Sequence, residues 1–364
     1  MRLLAIDVGS GTQDILLLDT SRPVENSPKM VMPSPTVVMA ARIREATRRG
    51  QDVLLTGSLM GGGPCAWAAE AHLKAGYRVF ATPAAARTFN DDLAEVERMG
   101  VKVVSEEEAR SLHSCRAIVM KDLDMEAIGR AFQVMGVPCE PDGLAVAALD
   151  HGEAPPGYSD RLFRFDHFRR VLARRSDLYA FALLPEELPA YLTRLKAVGQ
   201  AAGEGRPLLL LDTGVAAALG ALEDPMVGRR RNALLVNVGN MHTLAMHVAR
   251  GKVLAFAEHH TGFMGQPKLD DLLSRFMAGS VSHQEVFDDQ GHGVLYLDRD
   301  VARGRPFLSV TGPQRQLMAR SSLRPYFAAP HGDMMLAGCF GLARAFARRF
   351  PQWREEIETA LFSG

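Results

Sequence analysis

Cysteine is scarce: Cys65, Cys115, Cys139 and Cys339 stand singly among 364 residues and form no CxxC pair. Such spacing excludes a zinc or iron–sulfur site built from neighbouring thiolates, and free thiols in a reducing cytoplasm are the expectation. An excess of charge is also missing, with 42 Lys+Arg against 42 Asp+Glu, so no nucleic-acid partner is expected. No run approaches the about 18 apolar residues of a membrane span. Met1-Arg2 leads into only a few apolar residues before Asp7, too few for a secretory signal. What is present is ordinary for a globular chain, 47% apolar and 23% charged, and long enough for two domains with separate cores.

The organising stretch is Leu3–Asp19, LLAIDVGSGTQDILLLD. Two short apolar runs flank Gly9-Ser10-Gly11-Thr12-Gln13, which reads as a β-hairpin. Glycines let successive backbone N–H groups point into one concavity suited to phosphate oxygens, and Ser10 and Thr12 add hydroxyl donors. Asp7 ends the first strand where it could hold magnesium through water. The plainer alternative is an ordinary hairpin whose aspartate caps the turn.

After a proline-rich stretch, with Val31–Val38 expected as an interrupted strand and a helix over Met39–Arg49, strands and helices alternate from Asp52 to Asp150, the pattern of a layered α/β domain. Within it Gly61-Gly62-Gly63-Pro64-Cys65-Ala66 fits G-x-G-x-x-A, but the following strand ends at Ala81-Thr82-Pro83 without an acid for a ribose. A plain strand-to-helix turn facing a substrate cleft is preferred, with Gly61 and Gly62 as contacts. Asn90-Asp91-Asp92 and Asp122 with Asp124 are read as helix caps before metal ligands. The arginines of Phe163–Arg175 are read as a solvated helix face, and Ala201–Arg206 as a loop and domain junction.

The second half repeats the first. Pro207–Asp212 is a buried strand ending in an acid, followed by a helix of small residues, Thr213–Leu222. Asp212 is either its N-cap or a carboxylate able to take a proton from a hydroxyl. Asn232–Val238, Gly239-Asn240-Met241-His242-Thr243 and Leu244–Val248 form a second hairpin, with Asn237 in the place of Asp7. His259 and His260 follow its third strand. Adjacent histidines point to opposite sides of an extended chain, so a substrate contact is expected before a shared metal. Gly265–Arg303 is polar, with a helix over Lys268–Met277 and a mobile segment around Gln290-Gly291-His292-Gly293. A strand then runs into Thr311-Gly312-Pro313-Gln314, and a second small-residue helix, Asp333–Phe350, is expected to pack on Ala216–Leu222.

The order of these motifs resembles the actin/Hsp70/sugar-kinase ATPase superfamily across most of the chain. The resemblance implies an α/β fold of two related ribonuclease-H-like domains, residues 1–206 and 207–339 with 340–364 packing back on the first, and a nucleotide cleft between them. It implies ATP and Mg2+ as cofactors. Gly9, Ser10, Gly11, Thr12 and Gln13 then correspond to the first phosphate loop, Asp7 to the magnesium-side acid, and Gly239, Asn240, His242 and Thr243 to the second loop. Thr311, Gly312 and Gln314 correspond to the adenosine loop, and Asp212 to the catalytic base of the carbohydrate kinases. Asn237, Met241 and Pro313 depart from the superfamily pattern. A closer resemblance is to a prokaryotic family labelled as pyruvate formate-lyase activating enzymes. That label implies radical chemistry with three clustered cysteines, which this chain lacks, so the activity is rejected. The expectation is a cytoplasmic ATP-dependent phosphotransferase or ATPase acting on a small-molecule or protein substrate, with self-association left open. The alternatives are a nucleotide-responsive binding protein, a Rossmann-type oxidoreductase using Gly61–Ala66, and, more remotely, a metal hydrolase using His259, His260 and His331.

Overall fold

A computed structural model describes residues 1–298 and 305–362. The end of the polar stretch at Arg303 and the last two residues of the 340–364 segment lie outside the described residues.

The first sheet contains β1 (Arg2–Val8), β2 (Thr12–Asp19) and β3 (Lys29–Pro33). A four-stranded parallel sheet is inserted next, from β4 (Val53–Gly57), β5 (Val79–Ala81), β6 (Val101–Val103) and β7 (Arg116–Met120). The chain then returns to the first sheet with β8 (Gly143–Ala148) and β9 (Leu208–Leu211), giving the order β3-β2-β1-β8-β9. The second sheet is made of β10 (Asn232–Val238), β11 (His242–Ala249), β12 (Lys252–His260), β13 (Gly293–Tyr296), β14 (Phe307–Thr311) and β15 (Tyr326–Phe327). Its order is β13-β12-β11-β10-β14-β15. Setting aside β13, the two sheets share one strand order. In both, an antiparallel meander comes first and parallel strands follow on its opposite side. This is the duplicated ribonuclease-H-like architecture of the actin-like ATPase fold.

The register preserves the duplication residue by residue. Asp7 stands opposite Asp14 in the first hairpin, and Asn237 opposite Leu244 in the second. Leu3–Ile6 are wholly buried, because β1 is covered on both faces, which is why its sequence runs apolar rather than alternating. The boundary expected at 206/207 falls too early: β9 pairs with β8, so the first sheet extends through Leu211.

Between the sheets, the Thr213–Ala221 helix crosses the Ala337–Arg349 helix. Small residues permit the close approach. A Cβ on Gly220 would lie 1.7 Å from the Ala337 carbonyl oxygen, and one on Gly341 would lie 1.9 Å from that of Ala216. The Ala337–Arg349 helix also packs on β1, β2, β8 and β9.

Two local expectations are corrected. Val37 and Val38 are helical, because Pro35 starts the Pro35–Arg48 helix at a position where its missing N–H costs nothing. The segment around His292 is packed rather than mobile. His292 is completely buried, and its N–H donates to the Glu258 carbonyl at 2.9 Å.

Candidate functional site

The two hairpin turns have the same internal geometry and touch. Gly9 N–H donates to the Thr12 carbonyl at 3.0 Å, and Gly239 N–H donates to the His242 carbonyl at 2.9 Å. A Cβ on Gly11 would lie 2.1 Å from Asn240 Nδ2, so the turns meet where the first one carries no side chain. They form one side of a cavity of about 360 Å³, a size suited to a small ligand. Its wall takes Asp7, Gly9, Ser10 and Thr12 from the first hairpin, Gly239, Asn240 and His242 from the second, Thr311 and Gly312 from the turn after β14, and Gly61 and Gly62 from the insertion. Gln13, Gln314 and Thr243 do not line the cavity and are engaged in other hydrogen bonds. Gln13 Nε2 donates to the Asp122 carbonyl at 3.1 Å, Gln314 Nε2 donates to Asn240 Oδ1 at 3.2 Å, and the Thr243 hydroxyl pairs with that of Thr261 at 2.9 Å. Gly312 adopts φ +98°, and a Cβ there would strike Asn237 Oδ1 and the Val238 carbonyl, so only glycine fits that turn.

Asp7 and Asp14, directly opposite each other in the hairpin, both face the cavity. Thr213 Oγ1 donates to Asp7 Oδ1 at 2.6 Å, and Asp14 Oδ1 is buried without a partner among the described residues. Burial pushes the Asp7 carboxyl up to about 7, against the lowering effect of the Thr213 bond and with a further rise from the charge on Asp212. Burial, with the charge on Asp7 added, pushes Asp14 up to about 8. Two facing carboxylates that resist ionising together form a site in which a cation would be stabilising. Carboxylates, hydroxyls and backbone N–H groups around one concavity are a donor set that fits a magnesium polyphosphate.

Asp212 does not face this cavity as a free base. Its Oδ1 accepts from the N–H groups of Gly214 and Val215 at 2.9 and 3.3 Å, an N-cap, and its Oδ2 accepts from Arg164 Nη1 at 2.8 Å. Both oxygens are therefore engaged. Arg164, expected on a solvated face, is 1% exposed and also donates from Nε to Glu258 Oε2 at 2.7 Å. A signal for this was present: Arg164, Phe168 and Leu172 share one helical stripe, and the guanidinium lies 4.8 Å from the Phe168 ring centre. Glu258 Oε1 is buried without a partner among the described residues, and Glu258 lines the cavity. Burial raises this carboxyl, but the Arg164 guanidinium and neighbouring imidazoles hold it below the usual glutamate range.

His259 turns away from the cavity and pairs with Asp289 at 3.1 Å, whereas His260 stands 3.3 Å from His292. The dinucleotide alternative loses its anion nest. The Gly61 N–H is taken by the Asp122 carboxylate, which is itself clasped by Arg194 at 2.7 and 3.1 Å. Asp92 and Asp124 are N-caps as expected, but Asp122 is not.

A family model described as "Putative pyruvate format-lyase activating enzyme (DUF1786)" matches residues 60–317. The chain belongs to this family. The four cysteines are free, with Cys65, Cys115, Cys139 and Cys339 lying in or against four different apolar clusters. A search of curated proteins gives no match. Among solved structures, the chain is similar to the ethanolamine utilization protein EutJ from Carboxydothermus hydrogenoformans. That match has 12% identity, coverage of 94% of this chain and 89% of that one, and a TM-score of 0.34. It is also similar to the ROK hexokinase from Thermus thermophilus (14% identity, 97% and 100% coverage, TM-score 0.33). A third similar structure is MreB5 of Spiroplasma citri bound to AMPPNP (9% identity, 97% and 98% coverage, TM-score 0.32). The shared strand order of the two sheets is what defines the fold.

Proposed function

We propose that the cavity between the hairpin turns binds a nucleoside triphosphate with magnesium and that the protein transfers or hydrolyses the terminal phosphoryl group. The observation that carries this reading is the contact of two equivalent glycine turns beside a pair of buried carboxylates. The turns' backbone N–H groups, with Ser10 and Thr12, would take phosphate oxygens. Asp7 and Asp14 would hold magnesium, through water or directly, and that ion would neutralise charge on the phosphates. Thr311 and Gly312 would border the nucleoside. Thr213 orients the Asp7 carboxylate through its 2.6 Å hydrogen bond. With Asp212 engaged as a cap and ion-pair partner, the group best placed to accept a proton from an incoming hydroxyl or water is Glu258. One of its oxygens is fixed by Arg164 and the other is unpartnered.

A second reading, nucleotide-responsive binding with little turnover, is favoured by the engagement of Asp212 and by Met241, whose sulfur would lie 2.8 Å from a Cβ on Gly63. A thermal-shift panel of nucleotides with magnesium tests binding. A ligand at a hundredfold excess over Kd adds about 2.7 kcal/mol of apparent stability. If no nucleoside triphosphate raises the midpoint, both readings fail. A raised midpoint with no phosphate or phosphorylated product after long incubation selects the second.

A further inference from the structure

Three histidines from separate parts of the chain converge at the cavity beside the second hairpin turn. His151 follows β8, His242 opens β11, and His292 precedes β13. Each offers a ring nitrogen, and the three nitrogens lie within 4.8 Å of one another. His151 and His242 line the cavity, and His292 is completely buried behind them. We propose that His151, His242 and His292 form a binding site for a divalent transition-metal ion of the zinc class, with a coordination position open to the cavity. The proposal does not depend on nucleotide binding.

Hydrogen bonding supports it. His260 Nδ1 lies 2.6 Å from the Gln290 carbonyl, which can only accept, so Nδ1 carries the proton and Nε2 is bare. His292 Nε2 lies 3.3 Å from that bare nitrogen and can donate to it, which leaves His292 Nδ1 with its lone pair free. His292 Nδ1 and His242 Nε2 are buried polar atoms without partners among the described residues. Two orphaned imidazole nitrogens in one cluster are costly unless something binds them. A hydrogen bond from the ring's other nitrogen fixes the tautomer and orientation of a metal-binding imidazole, and His260 supplies the acceptor for His292 here.

Charge points the same way. The buried network holds two carboxylates, Asp212 and Glu258, against one guanidinium, Arg164. Glu258 Oε2 lies 3.8 Å from His292 Nδ1, and Glu258 Oε1 has no partner. Neutral imidazoles are the form that binds metal. Nitrogen ligands select zinc-class ions over magnesium, which prefers oxygen. With three protein ligands, the open position would take water or an anionic oxygen of a cavity ligand.

The test is metal binding by the whole chain without nucleotide. After chelation and dialysis, Zn2+ or Co2+ is titrated, with stoichiometry read by elemental analysis and Co2+ coordination read by visible absorption. We expect about one equivalent bound, with excess Mg2+ unable to compete. His292→Gln, which nearly keeps the volume, and His151→Ala at the cavity wall should each weaken binding about 100-fold or more, and His260→Ala, a positioning residue, about 10-fold or more. His113→Ala, at an exposed position outside the cluster, should bind as the parent does. Circular dichroism of the metal-free variants reports whether they fold. His151→Ala is the decisive variant if the buried substitution fails. No bound equivalent in the parent, or full binding by folded His151→Ala, overturns the proposal.

Discussion

Replacing Asp7 with asparagine should stabilise the metal-free protein at alkaline pH and abolish its response to magnesium. Asp7 is 8% exposed, and its carboxyl is pushed up from 3.8 to about 7. A carboxyl with a raised folded-state pKa favours folding while protonated. That contribution is complete below pH 3.8 and is lost as the pH rises through about 7. The shift spans about three pH units at about 1.4 kcal/mol each, so ionising Asp7 costs the folded chain about 4 kcal/mol. Asparagine keeps an oxygen to accept from Thr213 and carries no charge, so this loss disappears. The charge on Asp7 also helps raise Asp14, and the substitution should bring Asp14 partway down, flattening the profile further. The assay is isothermal urea unfolding at pH 5 and pH 9, with and without magnesium. The parent should lose several kcal/mol between the two pH values and recover part of it with magnesium at pH 9. Asp7→Asn should lose markedly less between the two pH values, the remainder coming from buried Asp14, and should recover nothing with magnesium. Parallel pH profiles for the two proteins, or equal magnesium responses, would refute the reasoning that these carboxylates form a cation site.

Asp212→Asn removes the charge facing Arg164 but can still cap its helix. It should destabilise the fold by about 3 kcal/mol or more while leaving turnover per folded molecule within about twofold. A hundredfold loss of turnover would restore Asp212 as a base. Gly341→Ala places a Cβ 1.9 Å from the Ala216 carbonyl oxygen, and overpacking at a helix crossing should cost about 3 kcal/mol. An unchanged urea midpoint would mean that the crossing is looser than described. Gly239→Ala puts a Cβ 2.7 Å from the His242 carbonyl, which distorts the second turn. Nucleotide affinity should fall about tenfold or more, a loss of about 1.4 kcal/mol, and calorimetry showing no change would remove that turn from the site.

The apolar run Leu3–Ile6, the glycines of the two turns and the small residues at Ala216–Gly220 are local features, and by themselves they determined the duplicated hairpins and the close helix crossing. Hydrophobic patterning and glycine placement act over a few residues, so they survive in the primary structure. The capping role of Asp212 was equally local, because an aspartate before a helix satisfies its first N–H groups whatever the rest of the chain does. Only the tertiary structure decided that β9 belongs to the first sheet, since strand pairing over more than sixty residues leaves no local trace. It also decided the fate of the charged and aromatic nitrogen groups. Arg164 moved from an expected solvated face into a buried network with Asp212 and Glu258, 48 and 94 residues away. His151, His242 and His292 were brought together by three separate chain returns. Such groups carry their meaning in their partners and in the water they have lost, and neither exists until the chain has folded.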